Sequence, residues 1–251
     1  MLSCSNIHFA YGSVEVLHDV SIEVPKAKVV CVMGRNGVGK TTLMRNIVGL
    51  EKASKGRVTL DGRNISKQPA RKRAQSGLAL VPQGRMIFPR LSVRENLEVG
   101  LSARTDEPIK FTSLTSAYKA LSRRSRRRRT IPEEIYELFP VLHEMGARQG
   151  GNLSGGQQQQ LAIGRALVGE PCLLLLDEPT EGIQPNIIQE IGRVLKYLTT
   201  EKDMTILLVE QYVDFIKEFG DHFYIMNRGR VVANGDTPQL SEDIVRQHLS
   251  V

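Results

Sequence analysis

Gly34-Arg35-Asn36-Gly37-Val38-Gly39-Lys40-Thr41 follows the apolar run Val29-Val30-Cys31-Val32-Met33 and precedes a segment in which Leu43, Ile47 and Leu50 recur at helical spacing. The octapeptide fits G-x-x-x-x-G-K-[ST], and a buried strand before it and an amphipathic helix after it are the context that pattern requires. Glycines let the backbone wrap so that its N–H groups point inward at phosphate oxygens, while the helix N-terminus adds partial positive charge. Lys40 is expected to reach the β- and γ-phosphates, Thr41 to hold Mg²⁺ through its hydroxyl, and Thr42 to add a phosphate hydrogen bond. A glycine-rich turn without function would not predict Lys-Thr-Thr at the helix start. Gly49 marks where the helix should stop.

Further apolar runs, Leu78 to Val81, Leu173 to Leu176 and Ile206 to Val209, read as strands buried on both faces, the habit of a parallel sheet. The run from Leu173 ends in Asp177 and Glu178. Two acids there could mark only the strand's exit to water. Paired with a phosphate loop, they read better as Asp177 orienting the Mg²⁺ shell and Glu178 polarising the attacking water as general base. The two motifs together indicate a P-loop NTPase without saying which kind.

Antiparallel signals lie near the N-terminus: Ser21 to Val24 turns at Pro25-Lys26 into the next strand, and Arg57 to Leu60 runs into the hairpin dipeptide Asp61-Gly62. Between Pro89 and Gly151 helical patterns take over, as in Val93 to Leu101 and Pro132 to Phe139. The chain is therefore expected to be one domain over 1–251, with 1–85 and 160–251 forming an α/β core and β lobe. Residues 86–159 are expected to form a helical subdomain that includes a polar, basic insertion at 103–130. Near the C-terminus, strands around Asn227-Arg228-Gly229 suggest a last hairpin followed by a short helical tail.

A chain of 251 residues with 41% hydrophobic and 24% charged residues suits one folded domain and argues against disorder throughout. Apolar runs such as Cys172 to Leu176 fall far short of the about 20 residues a membrane helix needs, so work at a membrane requires a partner. Met1 to Asn6 lacks a basic start and long apolar stretch, so no secretory signal is expected. Cys4, Cys31 and Cys172 are an odd number without CxxC spacing, which argues against a disulfide framework or a zinc site. Cys31 and Cys172 read as small buried hydrophobes within apolar strands. Of the net charge of +7, six units come from the arginines between Arg123 and Arg129, so the basicity is local.

Leu153-Ser154-Gly155-Gly156-Gln157 lies just upstream of the carboxylate strand and opens a helix running through Leu161. Ser154 can cap that helix or bind phosphate, and the glycines permit close backbone approach. The pentapeptide is the ABC signature, and with the other two motifs in order the chain resembles the ATP-binding cassette (ABC) ATPases over nearly its whole length. The resemblance implies an α/β P-loop NTPase (ABC ATPase) core with an antiparallel β lobe and an inserted α-helical subdomain. It implies ATP and Mg²⁺ as cofactors, bound by Gly34, Arg35, Asn36, Gly37, Val38, Gly39, Lys40, Thr41 and Thr42. Tyr11 matches the aromatic that stacks on adenine, and Gln83 the glutamine that touches Mg²⁺ and the lytic water. Ser154, Gly155, Gly156 and Gln157 would complete the site of a second cassette, because the family builds each ATP site from two subunits.

Two positions depart from the family pattern: Gln184 stands where Asp is usual, and Gln211 where a switch histidine is usual. A glutamine can donate to the γ-phosphate but cannot become cationic, so one site of an unlike pair is expected to turn over slowly. The stretches around Gly34, Gln83 and Glu178 look like the ATPase subunits of branched-chain amino-acid and urea importers. Gln83 and the run Gln157 to Gln160 favour the urea branch, and so urea or short-chain amides, with branched-chain amino acids as the alternative solute. Permease subunits, an unlike second cassette and, indirectly, a solute-binding protein are the implied partners, at the cytoplasmic face of the membrane. The arginine run reads as a solvated insertion, with contact to anionic lipid as its alternative. Nucleic acid is not expected, since no aromatic interleaves the arginines. A soluble ABC ATPase acting on DNA or ribosomes is the rival reading.

Overall fold

A computed structural model describes residues 1–103 and 130–249. The basic insertion lies outside the described residues save for 103 and 130, and its arginine run lies outside them entirely.

Two sheets form the frame. Strands β1 (Leu2–Tyr11), β2 (Val14–Val24), β4 (Lys55–Leu60) and β5 (Arg63–Asn64) make an antiparallel sheet in the order β2-β1-β4-β5. The second sheet contains β3 (Val29–Met33), β6 (Leu78–Val81), β7 (Leu173–Asp177), β8 (Thr205–Val209), β9 (His222–Asn227) and β10 (Arg230–Asp236), ordered β10-β9-β3-β8-β7-β6. Its members pair in parallel except for β10, which returns antiparallel beside β9 across the turn after Asn227.

Every residue of β3, β7 and β8 is buried. The strands alternate between two cores. Val30, Val32, Leu173, Leu175 and Leu207 face one that contains the antiparallel sheet and α1 (Lys40–Val48). Cys31, Met33, Leu174, Leu176 and Leu208 face the other, with the helices beyond it. Apolar side chains on both faces are what an unbroken apolar run must produce in a strand whose period is two.

Helices α2 (Ala70–Gln75) and α3 (Val93–Gly100) precede the undescribed stretch, and α4 (Glu133–Leu138), α5 (Pro140–Glu144) and α6 (Gly155–Leu167) follow it. The chain closes with α7 (Pro185–Thr200), α8 (Val213–Phe219) and α9 (Glu242–His248). Leu97, Ile135, Phe139, Leu142 and Ile163 join the helical segment to the core of the parallel sheet. Helix α6 runs unbroken across 159/160, where the sequence suggested a boundary.

Three local expectations need correction. Pro25-Lys26 does not close a hairpin: β2 belongs to the antiparallel sheet and β3 to the parallel one, so this turn carries the chain between sheets. Cys172 precedes β7 and is exposed, because the strand's burial begins only at Leu173. Leu50 lies beyond the left-handed cap Gly49 and is 58% exposed, so α1 buries Leu43, Met44 and Ile47 instead.

Candidate active site

The phosphate loop joins β3 to α1. Gly39 has φ 107°, and a Cβ there would stand 2.9 Å from Leu17 Cδ2 and 3.2 Å from the Val16 carbonyl, so glycine is required on both counts. Gly34 has φ 148°, and its Cβ would lie 2.5 Å from the Met226 carbonyl. Lys40 is buried across the loop mouth: its Nζ donates to the carbonyls of Gly34 at 2.7 Å and Arg35 at 3.0 Å. No side chain among the described residues caps the start of α1, which leaves the N–H groups of its first turn for an external acceptor. The Val38 carbonyl accepts from Gly229 N at 3.0 Å, tying the loop to the β9–β10 turn. A cavity of about 220 Å³ opens here, lined by Asn36, Gly37, Lys40, Thr41, Gln83 and Glu178 among others, with Thr42 and Val16 in its wall.

Asp177 ends β7 only 3% exposed, and its Oδ1 has no hydrogen-bond partner among the described residues. Burial pushes its carboxyl above the usual carboxylate range, against the opposing pull of the Thr41 hydroxyl and the charge of Lys40. An orphaned buried carboxylate oxygen, a hydroxyl at Thr41 and the amide of Gln83 on the adjoining wall are hard oxygen donors. They fit Mg²⁺, which takes one or two protein ligands and completes its shell with phosphate and water.

Glu178 is the first residue past the strand, with φ 50° and its N–H on the Val209 carbonyl at 2.9 Å. Its Oε1 lies 3.3 Å from Lys40 Nζ and accepts from Gln211 Nε2 at 2.7 Å, while Oε2 accepts from Gln83 Nε2 at 3.1 Å. Gln211 Nε2 also donates to Asn36 Oδ1 at 2.7 Å. Residues from three separate stretches thus meet on one carboxylate at the cavity wall. An ionised carboxylate in that position can take up a proton from water held against the phosphate loop.

Other expected site residues lie apart. Tyr11, at the end of β1, is 43% exposed with its ring edge-on to Phe9, and it is not in the cavity lining. Ser154 caps α6: its hydroxyl accepts from Gln157 N, and Gln157 Oε1 accepts from Ser154 N at 3.0 Å. Neither these residues nor Gly155 and Gly156 line the cavity. Gln184 sits at the N-cap of α7 without a side-chain cap bond.

Several contacts were not foreseen. Gln83 Nε2 also donates to Glu181 Oε2 at 3.1 Å. Arg85, at φ 68°, reaches Gln158 Oε1 and the Glu181 carbonyl, linking the start of α6 to the loop after Glu178. Glu210, buried after β8, accepts from four donors. An acid directly after a buried strand, as with Glu178, was the available signal for Glu210.

Residues 17–181 match the ABC transporter family. The chain is 36% identical to the high-affinity branched-chain amino acid transport ATP-binding protein BraG of Pseudomonas aeruginosa, over 92% of this chain and 91% of that protein. It is 35% identical to the probable branched-chain amino acid transport ATP-binding protein LivF of Archaeoglobus fulgidus, over 96% and 94%. The lipopolysaccharide export system ATP-binding protein LptB of Haemophilus influenzae is 32% identical over 97% and 93%. Among solved structures, a nucleotide-free ATP-binding cassette from an ABC transporter superposes with a TM-score of 0.79 at 28% identity, covering 100% of this chain and 95% of that one. With its phosphate loop, buried strand-end carboxylate and capped signature helix in one fold, the chain belongs to the ABC transporter family as an ATP-binding subunit that hydrolyses ATP with Mg²⁺.

Proposed function

We propose that this chain drives a membrane importer for a small polar solute, with Glu178 as the general base that activates water for ATP hydrolysis. The observation that carries this reading is the convergence of Lys40, Gln83 and Gln211 on the Glu178 carboxylate beside the phosphate loop. In it Lys40 and the first turn of α1 bind phosphate, while Thr41, Asp177 and Gln83 would hold Mg²⁺, which would supply positive charge to stabilise the phosphoryl group in transfer. Gln211 orients Glu178 and donates to the γ-phosphate, and Tyr11 offers its exposed ring to adenine. The signature residues Ser154, Gly155, Gly156 and Gln157, placed away from this cavity, serve the site of a second cassette.

Among solutes, the similarity to BraG and LivF supports branched-chain amino acids better than the urea or short-chain amide reading drawn from Gln83 and the glutamine run. A second reading, lipopolysaccharide export, is supported by the similarity to LptB. No helix among the described residues is long and apolar enough to cross a membrane, which suits a peripheral subunit working with permeases. We place it at the cytoplasmic face, paired with an unlike cassette and served indirectly by a solute-binding protein. Anionic lipid is the alternative contact for the arginine run at 123–129, a segment outside the described residues.

The test is reconstitution with the permease and solute-binding proteins of the same system, reading ATPase stimulation by leucine, urea or lipopolysaccharide. Stimulation by a branched-chain amino acid supports the importer, urea restores the other solute, and a response to lipopolysaccharide alone overturns import.

A further inference from the structure

Glu210 follows β8 directly and is only 3% exposed. Its Oε1 accepts from the backbone N of Thr180 at 3.2 Å and from the Thr180 hydroxyl. Its Oε2 accepts from the backbone N of Gln211 at 2.6 Å and of Tyr212 at 3.3 Å. The backbone N of Glu210 donates to the Val32 carbonyl at 3.2 Å, one residue before β3 ends and the phosphate loop begins. One buried side chain therefore ties the loop after β7 to the loop after β8, beside the strand that feeds the third.

The two tied loops carry Glu178 and Gln211. Thr180 lies two residues past Glu178, Gln211 is the next residue after Glu210, and Gln211 Nε2 returns to Glu178 Oε1 at 2.7 Å. The chain from Glu178 to Thr180, the bridge to Glu210, the peptide to Gln211 and the bond back to Glu178 form a closed ring. Glu178 holds a left-handed φ of 50°, a conformation a non-glycine residue keeps only where its surroundings fix it. Every group facing Glu210 within this ring is a donor. Only a carboxylate accepts on both sides, because an amide would turn its NH₂ toward one pair of N–H or O–H groups.

We propose that Glu210 is a positioning residue for hydrolysis: its carboxylate sets Gln211 and Glu178 at the separation that aims the Glu178 carboxylate at the attacking water. This rests on the reading of Glu178 as the base. Glu210 is not part of the cavity lining at the phosphate loop and acts through Thr180 and Gln211.

The test uses the full chain carrying Glu210→Gln, Thr180→Val or both, with Thr199→Val as a control that removes a buried hydroxyl in α7. ATP affinity, KM, kcat and melting temperature are measured on each. Glu210→Gln should lower kcat by about ten- to a hundredfold, the cost of misplacing a reacting group by a fraction of an ångström to an ångström, with KM and ATP affinity nearly unchanged. Thr180→Val should lower kcat less, and the double variant should be no slower than Glu210→Gln, since both break one ring. Thr199→Val should alter only the melting temperature. Should Glu210→Gln fail to fold, Thr180→Val decides alone, since it keeps the backbone bond and loses only the hydroxyl. Wild-type kcat in the folded variants, with melting temperature alone reduced, overturns the proposal. Glu178→Gln run in parallel separates the two claims: if it hydrolyses ATP normally the base assignment fails, and if it is inactive while Glu210→Gln and Thr180→Val are not, only the role of Glu210 fails.

Discussion

Asp177 is buried at the end of β7 with one oxygen unpartnered, and burial raises its pKa. A carboxyl raised above its unfolded value contributes stability below that value and loses it as pH climbs through the folded one. Ionising Asp177 thus costs the nucleotide-free protein stability, a cost that Mg²⁺ bound there would offset. Asp177→Asn should raise its melting temperature near pH 7 by about 2–4 °C, the shift made by about 1 kcal/mol in a domain of this size. The gain should vanish in acid, where wild-type Asp177 takes up its own proton. Adding Mg²⁺ and ATP should reverse the order, because only the wild type gains fully from binding. Melting curves at two pH values, with and without ligand, check this, and a variant less stable near pH 7 without ligand contradicts it. Lys40→Ala should instead weaken ATP binding itself, read by direct titration, since it removes the cation opposite the phosphates. At this scale the sequence told much: the types and order of Gly34 to Thr41, Asp177 and Glu178 imply a phosphate site before any coordinates. The partners of Glu210 and Arg85 were not legible, because they lie on stretches that meet only in the fold.

Elements were readable wherever burial is two-sided or a cap is explicit. The runs at β3, β7 and β8 are apolar throughout because both faces are covered, and Gly49 ends α1 in a left-handed conformation. The Pro25-Lys26 turn was misread because local sequence specifies a reversal without saying which sheet the next strand joins. Close approach between elements was equally hidden. Gly192, within α7, would place a Cβ 2.2 Å from the ring of Phe219 on α8. Gly192→Ala should therefore destabilise the protein by about 1–3 kcal/mol through overpacking, outweighing the roughly 1 kcal/mol that alanine gains in helix propensity. Denaturant midpoints measure it, and an unchanged or higher midpoint would show that α8 shifts freely. Ser154→Ala breaks the capping box of α6 and should cost about 1 kcal/mol of stability in the same assay.

In the whole molecule, the cavity around Lys40 and Glu178 and the signature at Ser154 occupy separate places, an arrangement that suits the proposal of two half-sites on one chain. This division was legible only through resemblance to a family of paired cassettes, since nothing in a single sequence reports a partner. With Gln211 in place of a histidine, the isolated chain should hydrolyse ATP slowly, and an unlike cassette with its permease should raise the rate well beyond the sum of the parts. Equal rates for the chain alone and the full complex would rule out an obligatory unlike partner. The most direct measurement of the central claim compares bound ATP and released phosphate for the wild-type chain and Glu178→Gln in one preparation. We expect equal ATP binding with hydrolysis nearly abolished in the variant, whereas wild-type turnover in Glu178→Gln would contradict the assignment of that carboxylate as the base.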